Sequence, residues 1–268
     1  YPERVDDVAW ENDLTAFRAY GPALQETGER AFGYDIWTKY NTTEPVVEAR
    51  YEGELNPDMK AKIAELGKTD PKAAQELYRS VSYHVDHGNG LDCYKVGPTL
   101  GGGTTALMAG DTIVYPYCYA TQEILDNGPL RFTVKLVYNP LVVKGDSTII
   151  ETRIITLDAG SYCNKTVVSY TNLKETMPLA VGIVLHEPDG AIVADAANGY
   201  MTYVDPTDNA GGDNGKIFVG AAFPTLVKEA KAVLFPEKEK KELRGGADGH
   251  VLAISEYEPG ADFTYYWG

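Results

Sequence analysis

The feature that most restricts the fold is the texture of the chain after Asp111. Segments 112–119, 130–138, 147–157, 165–170, 179–185, 191–194, 201–204, 217–219, 251–257 and 263–267 are each enriched in β-branched and aromatic residues, the types that fill a pleated, half-buried surface. Turn signals punctuate them: Asn127-Gly128-Pro129, Lys144-Gly145-Asp146, Asp158-Ala159-Gly160, Pro188-Asp189-Gly190 and Asn214-Gly215. Several segments alternate strictly. Arg131, Thr133 and Lys135 point opposite to Phe132, Val134 and Leu136; Glu151, Arg153 and Ile155 point opposite to Thr152, Ile154 and Thr156. Strands at hairpin spacing, without helices between them, form antiparallel sheets, because parallel neighbours need a long crossover. One short helix is expected near 224–234. The charged run 237–244 is expected to be a solvated loop.

Ahead of that region, 15–20 alternates so that Ala16, Arg18 and Tyr20 share one strand face. Segments 32–40 and 46–51 read as further strand or irregular pieces. Residues 55–83 are the clearly helical part. Asn56-Pro57-Asp58 and Asp70-Pro71 are start signals, an N-cap followed by proline where its missing N–H costs nothing. Met59, Ile63 and Leu66 recur at helical spacing up to Gly67, a stop signal; Ala74, Leu77, Tyr78 and Val81 continue the stripe. Two short helices are therefore expected there. No repeat or low-complexity linker divides the chain. With 268 residues and 44% hydrophobic content, the simplest account is one domain over 1–268 with a helical insertion at 55–83.

A formal net charge of −15 argues against nucleic acid or an anionic membrane as partner. No apolar run approaches the roughly 18 residues of a membrane span. Tyr1-Pro2-Glu3-Arg4 reads as a mature or trimmed start, without a signal-peptide pattern. Cys93, Cys118 and Cys163 are odd in number and widely spaced, which fits neither a zinc ribbon nor a disulfide framework. Tyrosine outnumbers phenylalanine 19 to 7; a flat ring with a hydroxyl suits strand surfaces and sugar-binding clefts alike.

Chemistry concentrates in 83–105, YHVDHGNGLDCYKVGPTLGGGTT. His84, Asp86 and His87 fall within four residues, followed by Asn89, Asp92, Tyr94 and Lys95. The glycines favour a loop on which these groups converge; an ordinary polar turn is the plain alternative. His84-x-Asp86-His87 can ligate zinc or manganese. Three ligands in one short loop are crowded, however, and no second cluster accompanies them, so no metal or other cofactor is expected. Gly97 to Gly103 lacks the strand-to-helix setting of a phosphate cradle, and G-x-x-x-x-G-K-S/T, H-E-x-x-H and G-x-S-x-G are absent. Trp10, Glu11 and Asn12 form a second group: the ring can stack on a pyranose while its neighbours bind hydroxyls, or the Trp is simply buried beside two solvated residues. His186 and His250 stand near strand ends.

The segments ERVDDVAWENDLTAFRAYGPAL (3–24), SYHVDHGNGLDCYKVGPTLGGG (82–103) and YEPGADFTYYWG (257–268) resemble a domain-of-unknown-function family of Bacteroidetes polysaccharide-utilisation proteins that includes the ulvan oligosaccharide dehydratase. The resemblance implies a galactose-mutarotase-like antiparallel β-supersandwich and action on uronic-acid-containing oligosaccharides. A periplasmic or secreted location is expected with it. Dehydration of a non-reducing-end uronate removes the C5 proton and expels the C4 hydroxyl, leaving a 4,5-unsaturated sugar. It needs a group to neutralise the carboxylate, a base and an acid. Arg18, Arg131, Lys95 and Asn12 are candidate neutralisers. His84 and His87 are candidate bases, since imidazole titrates near neutral pH, and Tyr94 or the other histidine is a candidate acid. Asp86 is expected to orient an imidazole, and Trp10, Glu11, Arg18 and Asp92 to complete the substrate site. The same proton abstraction serves a polysaccharide lyase or a C5 epimerase, and a non-catalytic carbohydrate-binding module would use the same tyrosines.

Overall fold

A computed structural model describes residues 1–40, 44–208 and 214–268. Among these residues the strands form three sheets, with antiparallel pairing throughout. The largest has nine strands, in the order β13 (Ile192–Asp195), β14 (Tyr200–Asp205), β15 (Ile217–Ala222), β18 (Phe263–Trp267), β11 (Asn164–Thr171), β10 (Asp146–Asp158), β8 (Arg131–Tyr138) and β7 (Tyr119–Asn127); β9 (Leu141–Val143) pairs with the start of β10. The second runs β16 (Glu229–Leu234), β17 (Gly249–Tyr257), β12 (Met177–Leu185), β5 (Gly102–Ala109), β6 (Thr112–Ile113). The third is the N-terminal sheet: β1 (Val8–Glu11), β2 (Thr15–Ala19), β3 (Asp35–Lys39) and β4 (Gly90–Asp92).

The alternation of β10 decides how the two large sheets meet. Ile149, Glu151, Arg153, Ile155 and Leu157 point inward and are buried. Thr105 of β5 meets Glu151 across the gap at 3.0 Å, and Tyr265 of β18 donates its hydroxyl to the Gly103 carbonyl at 2.8 Å. The protein is thus a mainly β, antiparallel sandwich. One hydrophobic cluster contains Val8 and Trp10 of β1, Leu136 of β8 and Val181 of β12, so it runs through all three sheets. The N-terminal sheet is covered on both faces: Phe17 and Ala19 face the main cluster, while Ala16 and Trp37 pack with Val47, Tyr51 and Tyr83 on the other side.

Among the described residues five α-helices flank the sheets: α1 (Pro22–Glu26), α2 (Val47–Glu54), α3 (Pro57–Thr69), α4 (Pro71–Arg79) and α5 (Glu237–Leu243). The two start signals act as expected. Asn56 accepts from the Asp58 and Met59 N–H groups, and Asp70 accepts from that of Ala73. Gly67 does not stop α3, which continues to Thr69.

Four expectations are corrected. Segment 46–51 belongs to helix α2, which has no side-chain cap of its own; the distant Glu11 carboxylate accepts the Val46 and Val47 N–H groups instead, at 2.9–3.1 Å. The helix expected near 224–234 is strand β16, because the open edge of β17 offers a ladder from Glu229↔Ile254 to Leu234↔Gly249, and pairing outweighs local propensity. The run 237–244 is helix α5, with a Glu237–Lys241 pair at 2.7 Å in the favourable i,i+4 sense. Strand β7 falls largely between the expected segments 112–119 and 130–138.

Candidate functional site

The loop between α4 and β4 carries the polar residues that stand out in the sequence. His84 Nδ1 lies 3.1 Å from the Asp92 backbone carbonyl, so that nitrogen donates, and in the neutral ring Nε2 keeps the lone pair. The His84 side chain is 52% exposed, which leaves it open to a ligand. His87 uses Nε2 on the Ser82 carbonyl at 2.9 Å. Asp86 folds the loop onto itself by accepting from the Gly88 N–H at 2.7 Å and the Gly90 N–H at 3.4 Å. Its other oxygen takes the Tyr40 hydroxyl at 2.7 Å. That hydrogen bond pushes the Tyr40 phenol above its ordinary pKa. Burial acts against the Asp86 anion, but the hydrogen bonds from Tyr40 and the two glycines outweigh it and hold the carboxyl below its usual range. Arg50 reaches the loop from α2 and donates to the Asn89 side-chain oxygen. Gly90 is required: its φ is +113° and a Cβ there would stand 2.1 Å from the Thr38 carbonyl oxygen.

Beneath the loop, on the α2 side of the N-terminal sheet, sits a buried charge cluster. Arg18 Nη2 pairs with Asp35 and, at 3.0 Å, with Asp92; Nη1 is 4.0 Å from Asp7. The hydroxyls of Tyr20 and Tyr51 accept from the same guanidinium. Ala16 and Arg18 share this side; Tyr20 lies past the end of β2 and packs in the main cluster, with its hydroxyl reaching Arg18. Arg4 reaches Asp7 from the rim at 3.7 Å, so two guanidinium groups stand against three buried carboxylates. Burial first, then the nearby Asp35, push Asp92 up to about 7, and burial pushes Asp7 up to about 6.

A third histidine lies at the far end of the short segment Asp92-Cys93-Tyr94. His186 Nδ1 is 2.6 Å from Asp205, whose side chain is fully buried, and its ring centroid is 6.3 Å from that of Tyr94. The Asp208 N–H donates to the Cys93 carbonyl at 2.6 Å, tying the two strips together. His250 is different: it is buried, accepts the Leu100 N–H at 3.0 Å, and is pushed down to about 3 by burial and by Arg244. It is a structural acceptor.

Eight of the expected site residues do not join the exposed groups of the loop. Trp10 is 3% exposed; it stacks with Phe17 and Phe132 and donates to Asn164, so it presents no face to a sugar. Glu11 caps α2 and holds Lys39 at 2.7 Å. Asn12 donates to the Asp158 and Ser161 carbonyls and accepts from Leu14 and Thr15, which closes the β1–β2 turn. Arg131 is bound on the surface by Asp158 at 2.6 and 2.9 Å. Tyr94 is buried, donates to the Gly101 carbonyl at 3.1 Å, and has its phenol pushed far up by burial. Lys95 is exposed and has no hydrogen-bond partner among the described residues. Arg18 and Asp92 lie under the loop, with Arg18 occupied by carboxylates. The structure keeps His84, Asp86 and His87 on one loop and adds two residues that did not stand out in the sequence, Tyr40 against Asp86 and Arg50 against Asn89. Among the described residues no group of three or more His, Cys, Asp or Glu side chains could hold a metal ion. The three cysteines are free thiols, and among the described residues no helix is long and apolar enough to cross a membrane.

Fold and loop together define an antiparallel β-sandwich protein with a histidine-bearing polar loop at the edge of its small sheet. The whole chain, residues 1–268, matches the family described as Domain of unknown function (DUF4861), and the protein belongs to that family. An uncharacterized protein of Formosa agariphila is 29% identical over 209 residues, which cover 75% of this chain and 46% of the relative. The match thus spans less than half the length of that relative.

Proposed function

We propose that the protein is a carbon–oxygen lyase that removes water from the non-reducing-end uronate of an oligosaccharide. The resemblance of 3–24, 82–103 and 257–268 to a family that includes the ulvan oligosaccharide dehydratase supports the reaction class, and membership of the domain-of-unknown-function family fits it. The observation that carries the reading is the open Nε2 of His84 on the same loop as the Tyr40–Asp86 pair. His84 takes the C5 proton. The C5–H electrons form the C4=C5 double bond, the C4–O bond breaks, and the departing hydroxyl takes a proton to leave as water. Tyr40, exposed and hydrogen-bonded to Asp86, is the proton donor in place of the buried Tyr94. Asp92 positions His84 through its backbone carbonyl. The product is a 4,5-unsaturated uronate. A periplasmic or extracellular setting, where such oligosaccharides are released, goes with this reading.

Mass spectrometry of oligosaccharides with a saturated uronate at the non-reducing end tests it. Loss of one water per chain is the expected result. Shorter chains would instead mean a polysaccharide lyase, an inverted C5 a C5 epimerase, and binding without turnover a carbohydrate-binding module.

A further inference from the structure

We propose that Arg50 is the anion-binding residue of this loop and receives the substrate's carboxylate; that identity for the anion rests on the uronate reading above. Arg18 and Arg131, the arginines that stand out in the sequence for this role, are both occupied by aspartates. So are Arg4, Arg153 and Arg244 by their own acids, while Arg30 and Arg79 are exposed to water. Arg50 alone among the described arginines is partly buried without an ion pair.

Its surroundings sharpen the point. Nη2 donates to the Asn89 side chain, and Nε is buried without a hydrogen-bond partner. A guanidinium has five N–H donors, so one acceptor leaves it far from satisfied in a protein that carries 39 acidic residues. Burial works against the Arg50 cation, and Asp86 only partly offsets this. Asp86 forms no ion pair with it; its oxygens accept from Tyr40, Gly88 and Gly90 instead. The fold holds this charge in place rather than leaving it to roam: Glu11 fixes the start of α2, and Asn89 grips the tip of the side chain. A carboxylate supplies what is missing, a negative charge with paired acceptors for a planar donor set. It would sit beside Asn89, on the loop that carries His84 and Asp86. A positive charge at that point is what makes C5 of a uronate acidic enough to lose its proton.

The test is calorimetric titration with a glucuronate-terminated oligosaccharide and with its carboxyl-reduced counterpart. Wild-type protein is expected to bind the acid form more tightly, on the order of tenfold or more for a charge-assisted pair. Arg50→Gln is expected to bind both forms alike, and Arg50→Lys to recover part of the preference, with circular dichroism showing that both variants stay folded. Equal affinities in the wild type, or an undiminished preference in Arg50→Gln, overturn the assignment. Mass spectrometry of the same samples keeps the two readings apart. A carboxylate preference lost in Arg50→Gln, with no water released by the wild type, leaves Arg50 standing and removes the dehydratase. Water release by Arg50→Gln at wild-type KM and kcat does the reverse.

Discussion

Arg153 and Arg18 are both buried arginines on strands, and the protein surrounds them in opposite ways. Arg153 lies between the two large sheets with one acid for its one charge: Nε meets Glu151 at 2.5 Å, and neither side chain is exposed. Its remaining donors go to the hydroxyls of Tyr34 and Tyr138 at 3.0 and 2.8 Å and to the Thr105 carbonyl at 3.2 Å. Arg18 faces three carboxylates, and Asp7 Oδ2, Asp35 Oδ1 and its own Nε are left without hydrogen-bond partners. The first site is balanced in charge, with only Glu151 Oε2 of the pair left without a hydrogen-bond partner, and ties sheet to sheet. The second carries surplus negative charge directly under the loop that presents His84, and it adjusts by holding protons. Buried polarity therefore serves register in one place and leaves a titratable floor in the other.

The comparison breaks most easily at Arg153. Arg153→Met strands Glu151 in the core without its counter-charge, and urea denaturation should show a loss of about 3–5 kcal/mol. Replacing Glu151 by Leu in the same chain should restore much of it; a single variant as stable as wild type would show that the pair is not the tie described. Next in size is His84→Ala, for which turnover should fall about 10²-fold or more while binding changes little, as for a lost general base.

A smaller effect distinguishes the Arg18 cluster. Asp92 holds its proton up to about 7 when folded but releases it at about 4 when unfolded. Between those values the folded state binds more protons, so the stability Asp92 contributes is present at low pH and is lost as pH rises through this window. Asn imitates the protonated side chain, so Asp92→Asn should lose that slope and gain relative stability at pH 7. Parallel urea midpoints for variant and wild type from pH 5 to about 7 would contradict the charge imbalance. The smallest expected effect belongs to Arg131→Ala: turnover stays at the wild-type level, because its guanidinium is committed to Asp158 on the surface.

How far these features were legible in the sequence follows from the range of the interactions that make them. The inward set of β10, including Glu151 and Arg153, is written in strict alternation, and α3 and α4 announce themselves through Asn56 and Asp70, which act within three residues. Helix α2 was not legible, because its cap comes from Glu11, 35 residues before Val46. Strand β16 reads as helix until the free edge of β17 is known. The polar loop itself was legible from the density of His84, Asp86 and His87. Its other members were not: Tyr40 joins Asp86 across 46 residues and Arg50 joins Asn89 across 39. Trp10 shows the opposite error. Beside Glu11 and Asn12 it looks like a sugar platform, and only its contacts with Phe17, Phe132 and Trp267 reveal a core residue.

The most direct measurement is the mass of the product formed by wild-type protein and by His84→Ala from one oligosaccharide with a saturated non-reducing-end uronate. The account predicts that wild type releases one water per chain and that the variant binds the same oligosaccharide but releases water about 10²-fold more slowly. An unchanged substrate mass with wild type would contradict the dehydratase reading. Wild-type release by His84→Ala would contradict the assigned base and pass that role to His186, whose Nδ1 is already held by Asp205.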